Sequence, residues 1–410
     1  MATLQPFHGL VPTPDKAAMV SAVPYDVVNS EEAAVLAAGN PLSFLHVSRP
    51  EIDLEPGIDL HDDKVYAQAK AAFDRIIAEA PLTLDAGEHL YIYRLIMNGR
   101  SQTGVIGAAS AAEYNAGIIK KHEKTRKDKE DDRTRHVMTL RSHTGPAFFT
   151  YRAVDKINAL IKAETAAVPT FDFTAPDGIQ HTVWRMDEAK SAELSALFAA
   201  EVPVFYIADG HHRSAAAART AAECAPNNPA HTGKEDYNFF LTVAFPDSEL
   251  AIMPYNRAVK TLNGLDEAGF IAALEKEFTV SDAADGVVAK PGEFKFYMNG
   301  AWRLAVPKFD ISKFDEIGRL DASWLQDRVL APILGIDDPR TSTGIDFIGG
   351  IRGTAELEKL VNTGSHAVTI SLHAVTLDQL MAIADAGKIM PPKSTWFEPK
   401  LRDGLVSHNF

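Results

Sequence analysis

The chain has 410 residues, is 46% hydrophobic and 23% charged, and carries a formal net charge of −14 at pH 7. That length predicts two or three compact units, and the composition is that of a folded protein. The acid excess argues against a general nucleic-acid binder, which needs a basic face for phosphates, and a single cysteine, Cys224, leaves no internal disulfide and predicts a reducing, cytoplasmic home.

The opening MATLQPFHGLVPTPDK has no basic stretch leading into an apolar one, and no apolar run reaches spanning length, so neither a signal peptide nor a membrane is expected. PYDVV (24–28) and GNPLSFLHVSRPE (39–51) contain prolines that break regular structure. Between them SEEAAVLAAG predicts a helix capped by Ser30 and stopped by Gly39, and 63–79 predicts another. HLYIYRLIMNGRSQTGVIGAAS predicts a hairpin turning at Asn98-Gly99. After the charge-dense run Lys120 to His136, a short strand is expected at 148–151, a helix at 154–166, a buried strand at 202–208, an alanine-rich helix at 214–224 and a strand at 238–245. The last part predicts a helix around FIAALEKEF, a hairpin at Asn299-Gly300, a helix at SWLQDRVLAPIL, a strand at 367–372 and a helix from Thr376 to about Ala386, ended by Gly387. The pattern is mixed α and β, without a repeat.

Three stretches carry candidate chemistry. In IADGHHRSAAAART (207–220) a strand gives way to a helix at Asp209-Gly210, which sets free backbone N–H groups at the positive end of the helix. Phosphate oxygens suit such a place: Gly210 lets the backbone approach, and Arg213, His211 and His212 add donors. The bland alternative is a helix capped by Asp209 with exposed polar residues behind it. Neighbouring histidines on a helix point about 100° apart, so a shared metal ion is not expected, and no metal ligand is assigned.

The run from Lys120 is either a solvated helix or loop, or a mobile segment closing over a charged substrate. His122-Glu123 opens it, and a carboxylate there could accept a hydroxyl proton. In MPPKSTWFEPK (390–400) the prolines fix the backbone before Lys393, Ser394 and Thr395. It reads either as a terminal segment packed by Trp396 and Phe397, or as a rigid loop offering hydroxyls and amides to a small polar ligand.

Together these stretches are familiar. Through PYDVV, GNPLSFLHV, IIKKHEKTRKDKEDDRTRH, TGP, ADGHHR and MPPKSTWFEPK the chain resembles the DUF1015 family of bacterial and archaeal proteins. From about residue 115 it also looks like the free-serine kinases of ParB/sulfiredoxin-like fold, which share a His-Glu segment, a strand-DGHHR-helix and a closing PPK-Thr-Thr. The resemblance implies Glu123 as catalytic base beside His122, a nucleotide-phosphate site at Asp209, Gly210, His211, His212 and Arg213 using ATP or ADP with Mg²⁺, and substrate contacts from Lys393, Ser394 and Thr395. Two departures stand out. Trp396-Phe397 replaces an Arg-His pair of the kinases, and the first hundred or so residues have no counterpart in them. A sulfiredoxin would need cysteine where this motif has histidine, and Cys224 lies about three turns downstream. A ParB-type DNA binder would need a helix-turn-helix or basic domain.

The expectation is therefore an α/β protein with an N-terminal extension (1–112), a ParB/sulfiredoxin-like nucleotide-binding core (113–250) and a C-terminal α/β domain closing the pocket (251–410). Its expected activity is phosphoryl transfer from a nucleotide to a small hydroxylated molecule, free L-serine first, with no nucleic-acid or membrane partner. The alternative is a non-catalytic nucleotide-binding regulatory module.

Overall fold

Asn98 and Gly99 both take left-handed backbone, φ 52° and 78°, which matches the twist of a tight hairpin and folds Tyr91–Met97 back on Arg100–Ser110. A computed structural model of the protein describes residues 1–80 and 82–410, and divides them into two compact units, residues 1–250 with 399–410, and residues 251–398.

In the first unit the hairpin sits in a large sheet ordered Ile119–Lys120, Phe205–Asp209, Ala147–Tyr151, Phe239–Pro246, Arg100–Ser110, Tyr91–Met97, Gln180–Arg185, Phe171–Thr174, with Leu4–Gln5 also on Arg100–Ser110. Two pairs are parallel, Phe205–Asp209 with Ile119–Lys120 and Phe239–Pro246 with Ala147–Tyr151, and the others antiparallel. Aromatic rings fill the core: Tyr151 meets Phe198 edge-on at 5.1 Å and Phe149 lies 5.8 Å from Phe205. The helix His211–Cys224 joins this core through Ala215, Ala217, Ala218 and Ala221, whose small side chains allow a close approach to the sheet.

A second cluster packs the helix Asp63–Glu79, capped by the Asp62 carboxylate, through Ala69, Ala72, Phe73 and Ile76, together with Leu140. Leu140 ends the helix Lys127–Leu140, into which most of the charge-dense run folds. The buried face of that helix is polar. Asp132 accepts from the Tyr66 hydroxyl at 2.7 Å, and His136 Nε2 donates to the Val47 carbonyl at 2.8 Å. The expected cap at Ser30 moves one residue: Asn29 caps Ser30–Ala37 in a reciprocal box with Glu32. Ser407–Asn409 returns to lie between Gly9–Val11 and Ser142–His143 in a small sheet.

The second unit is an antiparallel sheet ordered Phe278–Ala283, Ala301–Pro307, Phe294–Met298, Val368–Leu372, Tyr255–Val259, Ile345–Gly349. Asn299 and Gly300 turn its hairpin with φ 48° and 82°. Phe270, Phe278, Phe294, Phe296 and Trp324 are its core. The helix expected at SWLQDRVLAPIL is an α-helix only over Asp321–Leu325 and widens to a π-turn over Gln326–Leu330, before Pro332, which cannot donate to a continuing ladder. Among the described residues no helix is long and apolar enough to cross a membrane.

Candidate functional site

The strand Phe205–Asp209 loses register with Ala147–Tyr151 between Ile207 and Asp209, and Gly210 then takes φ +84°. A side chain at 210 would be strained in that conformation, and its Cβ would press to 3.3 Å from the Ala147 Cα. The helix His211–Cys224 starts at once with Gly210 as its N-cap, and among the described residues no side chain caps it. Its first amides thus lie at the positive end of the helix and, among the described residues, have no side-chain acceptor.

Asp209 does not cap the helix. One carboxylate oxygen accepts from the Gly210 N–H at 2.7 Å and the other meets the Lys400 ammonium at 2.8 Å. Partial burial raises this carboxyl, but Lys400 and the Gly210 amide outweigh it and hold it below the usual carboxylate range, so Asp209 is an anion at neutral pH.

The two histidines hold the His-Glu loop. His211 Nε2 accepts from the His122 N–H across a long 3.5 Å, with the two rings edge-on at 4.5 Å. His212 Nε2 accepts from the Arg126 N–H at 3.1 Å. A ring nitrogen can accept only from a neutral imidazole protonated at the other nitrogen. Burial provides that state: it lowers the pKa of His211 well below the ordinary range and that of His212 less far, and brings His122 down to about 4. Glu123, half-buried, lies between the two tethers.

Arg213 is committed within the protein. Its Nη2 lies 3.1 Å from an oxygen of the buried Asp403. The guanidinium sits 5.3 Å from the Tyr25 ring centroid, and Arg133 sits 4.1 Å from the same ring. Paired in this way with Asp403, the guanidinium also lines the pocket beside the turn, where the sequence places a ligand's phosphate.

A pocket beside the turn is lined by Asp26, Pro146, Asp209, Gly210, Arg213, Lys400 and Asp403 among others. Its cations are Arg213 and Lys400 and its carboxylates Asp26, Asp209 and Asp403. Lys400, Asp403 and Asp26 carry no expectation as site residues, although Lys400 and Asp26 lie within the stretches FEPK and PYDVV. Asp403 carries no motif signal.

The first unit thus brings His122 and Glu123 together with Asp209–Arg213. Lys393, Ser394 and Thr395 belong to the second unit. Lys393 is exposed at φ 57°, Ser394 is buried with its hydroxyl donating to the Pro391 carbonyl at 2.7 Å, and Thr395 is half-buried. Trp396–Phe397 pairs with Ile252–Met253.

The fold is similar to that of a free serine kinase in complex with AMP, with 13% identity over 72% of this chain and 87% of that one and a TM-score of 0.36. It is also similar to a C-terminally truncated SbnI from Staphylococcus aureus (10% identity, 73% and 85% of the two chains, TM-score 0.39) and to a conserved hypothetical protein from Pyrococcus furiosus (15% identity, 73% and 93%, TM-score 0.34). No curated protein matches the sequence. Residues 4–323 match the family described as "Protein of unknown function (DUF1015)", and the chain belongs to that family.

Proposed function

We propose that the protein binds the phosphates of ATP or ADP at the Asp209–Arg213 turn and transfers a phosphoryl group to a small hydroxylated molecule, free L-serine first, with Glu123 taking the hydroxyl proton. One observation carries the reading. The loop bearing Glu123 is tied by His211 and His212 to the same turn whose helix amides, among the described residues, have no side-chain cap, so a proton acceptor and a helix start suited to an anion share one hydrogen-bonded frame. Phosphoryl transfer asks mainly for positioning and charge neutralisation, and Lys400 supplies a cation at the pocket.

Among the described residues no three His, Cys, Asp or Glu side chains are grouped to hold a metal ion. Mg²⁺ commonly uses one or two carboxylates with substrate phosphates, and the anionic Asp209 fits that mode. Bound in this way, it would neutralise charge developing on the transferred group.

The test is a transfer assay with ATP or ADP and Mg²⁺ across a panel of hydroxylated amino acids, read by phosphorus NMR of the product. Phosphoserine is the expected product. Saturable nucleotide binding with no phosphorylated product from any acceptor would replace this reading with a non-catalytic nucleotide-binding module.

A further inference from the structure

Arg257 lies on Tyr255–Val259 in the second unit's sheet and is 3% exposed. Its guanidinium donates from Nη1 to the Tyr255 carbonyl at 2.7 Å and from Nη2 to the Lys393 carbonyl at 3.2 Å, with its carbon 4.6 Å from the Phe347 ring centroid. These partners offer dipoles and a ring face but no charge. Burial lowers its pKa to about 10, so it stays a cation at neutral pH, and among the described residues no carboxylate pairs with it. A buried guanidinium in that state is costly until a counter-charge reaches it.

The same pocket holds the opposite problem. It is lined by Arg257, Tyr255, Asp321, His373, Lys393 and Ser394 among others. Asp321 is 9% exposed, accepts from the Gly292 N–H at 2.9 Å, and among the described residues has no Lys or Arg partner. Burial raises its carboxyl to about 6, which still leaves it mostly ionised at neutral pH. A cation with no carboxylate partner and a carboxylate with no Lys or Arg partner, faced by the His373 imidazole, therefore line one cavity and do not pair with each other. The Lys393 ammonium, 5.7 Å from the Tyr255 ring centroid, adds a second positive group.

We propose that this pocket binds a small zwitterion of the α-amino-acid class, its carboxylate meeting Arg257 and Lys393 and its ammonium meeting Asp321. One molecule then supplies both missing charges through charge-assisted hydrogen bonds. The site stands on these residues alone. It rests on the function proposed above only in the choice of a hydroxylated amino acid as first probe.

The experiment is calorimetric titration of the full chain, without nucleotide, with L-serine, with 3-hydroxypropanoate, which lacks the ammonium, and with ethanolamine, which lacks the carboxylate. L-Serine should bind, and each half-molecule should bind about tenfold or more weakly, as should L-serine to Arg257→Gln and Asp321→Asn. Half-molecules binding as tightly as L-serine overturn the proposal, as does unchanged L-serine affinity in Arg257→Gln, or no binding of L-serine to the folded chain. Should Arg257→Gln fail to fold, Asp321→Asn and the exposed Lys393→Ala decide the matter: affinity unchanged in both overturns the site. Phosphoryl transfer is read separately. Its absence with binding intact leaves this site standing, and transfer with binding unaltered in the variants removes it.

Discussion

Gly145 leaves the space that the Arg213 guanidinium fills: a Cβ on residue 145 would lie 1.3 Å from Arg213 Nη1 and 2.5 Å from an Asp403 oxygen. The glycine of TGP and the arginine of DGHHR, distant in sequence, are therefore one packing unit. Gly145→Ala should push the guanidinium off Asp403 and strand a buried carboxylate, lowering unfolding stability by roughly 3 kcal/mol. Urea denaturation measures this, and a loss within about 0.5 kcal/mol would show that Arg213 can leave Asp403 without penalty.

Glu123→Gln keeps the side chain's shape and removes its basicity. Turnover of the acceptor should fall by about 10²-fold or more with nucleotide affinity little changed. Asp128→Asn, on the exposed start of the next helix, is the control and should leave turnover near normal. Equal effects from both variants would remove Glu123 from the role of base.

His212→Ala removes the acceptor for the Arg126 N–H and should loosen the loop without unfolding the protein. A hydrogen bond of net value about 1 kcal/mol corresponds to about a fivefold rise in the open population. Limited trypsin digestion after Lys124 and Arg126, both exposed, should accelerate by that factor. An unchanged cleavage rate would mean that the tether contributes nothing.

Acid should destabilise the fold earlier than its carboxylates alone would cause. Burial pushes His122 down to about 4, and His136, His143 and His181 to about 3. Arg133 and Arg213 facing His136, His408 facing His143 and Arg402 facing His181 lower those three further, while Asp132 and Asp177 oppose the shift. An unfolded histidine titrates near 6.5, so as pH falls the unfolded chain takes up protons first. Stability is complete above about pH 6.5 and is lost from there down toward the folded values, each histidine contributing up to about 1.4 kcal/mol per pH unit. The urea midpoint should therefore drop between about pH 7 and pH 5. A flat midpoint across that window contradicts the neutral, buried assignments.

Local chemistry was legible where one or two residues decide the backbone. The Asn-Gly turns at 98–99 and 299–300 and the helix Asp63–Glu79 follow the sequence pattern closely. The alanine-rich helix begins at His211, three residues before the expected start, because a left-handed glycine rather than a polar side chain opens it. The helix Lys127–Leu140 was hard to read as a packed element, since its buried positions include Asp132, Thr134 and His136, which no apolar period marks. The helix Glu188–Glu201 went unread for a related reason: apolar and polar residues are spread around it without a strong stripe. Within the candidate site, the strand-to-helix seam at 209–211 was legible. The pairing of Arg213 with Asp403, 190 residues away, was not, because only the tertiary fold joins them.

The segment 399–410 belongs to the first unit, yet the ribosome makes it only after the whole of residues 251–398. At typical elongation rates that delay is roughly 7–30 s. Throughout it, Arg213 waits without Asp403, Asp209 without Lys400, and Gly9–Val11 and Ser142–His143 without the strand between them. The second unit is contiguous and faces no such wait. Synthesis thus imposes an order on the molecule: the unit translated first is the one completed last, and until then its nascent form has the charges at the DGHHR turn unbalanced and a strand slot open.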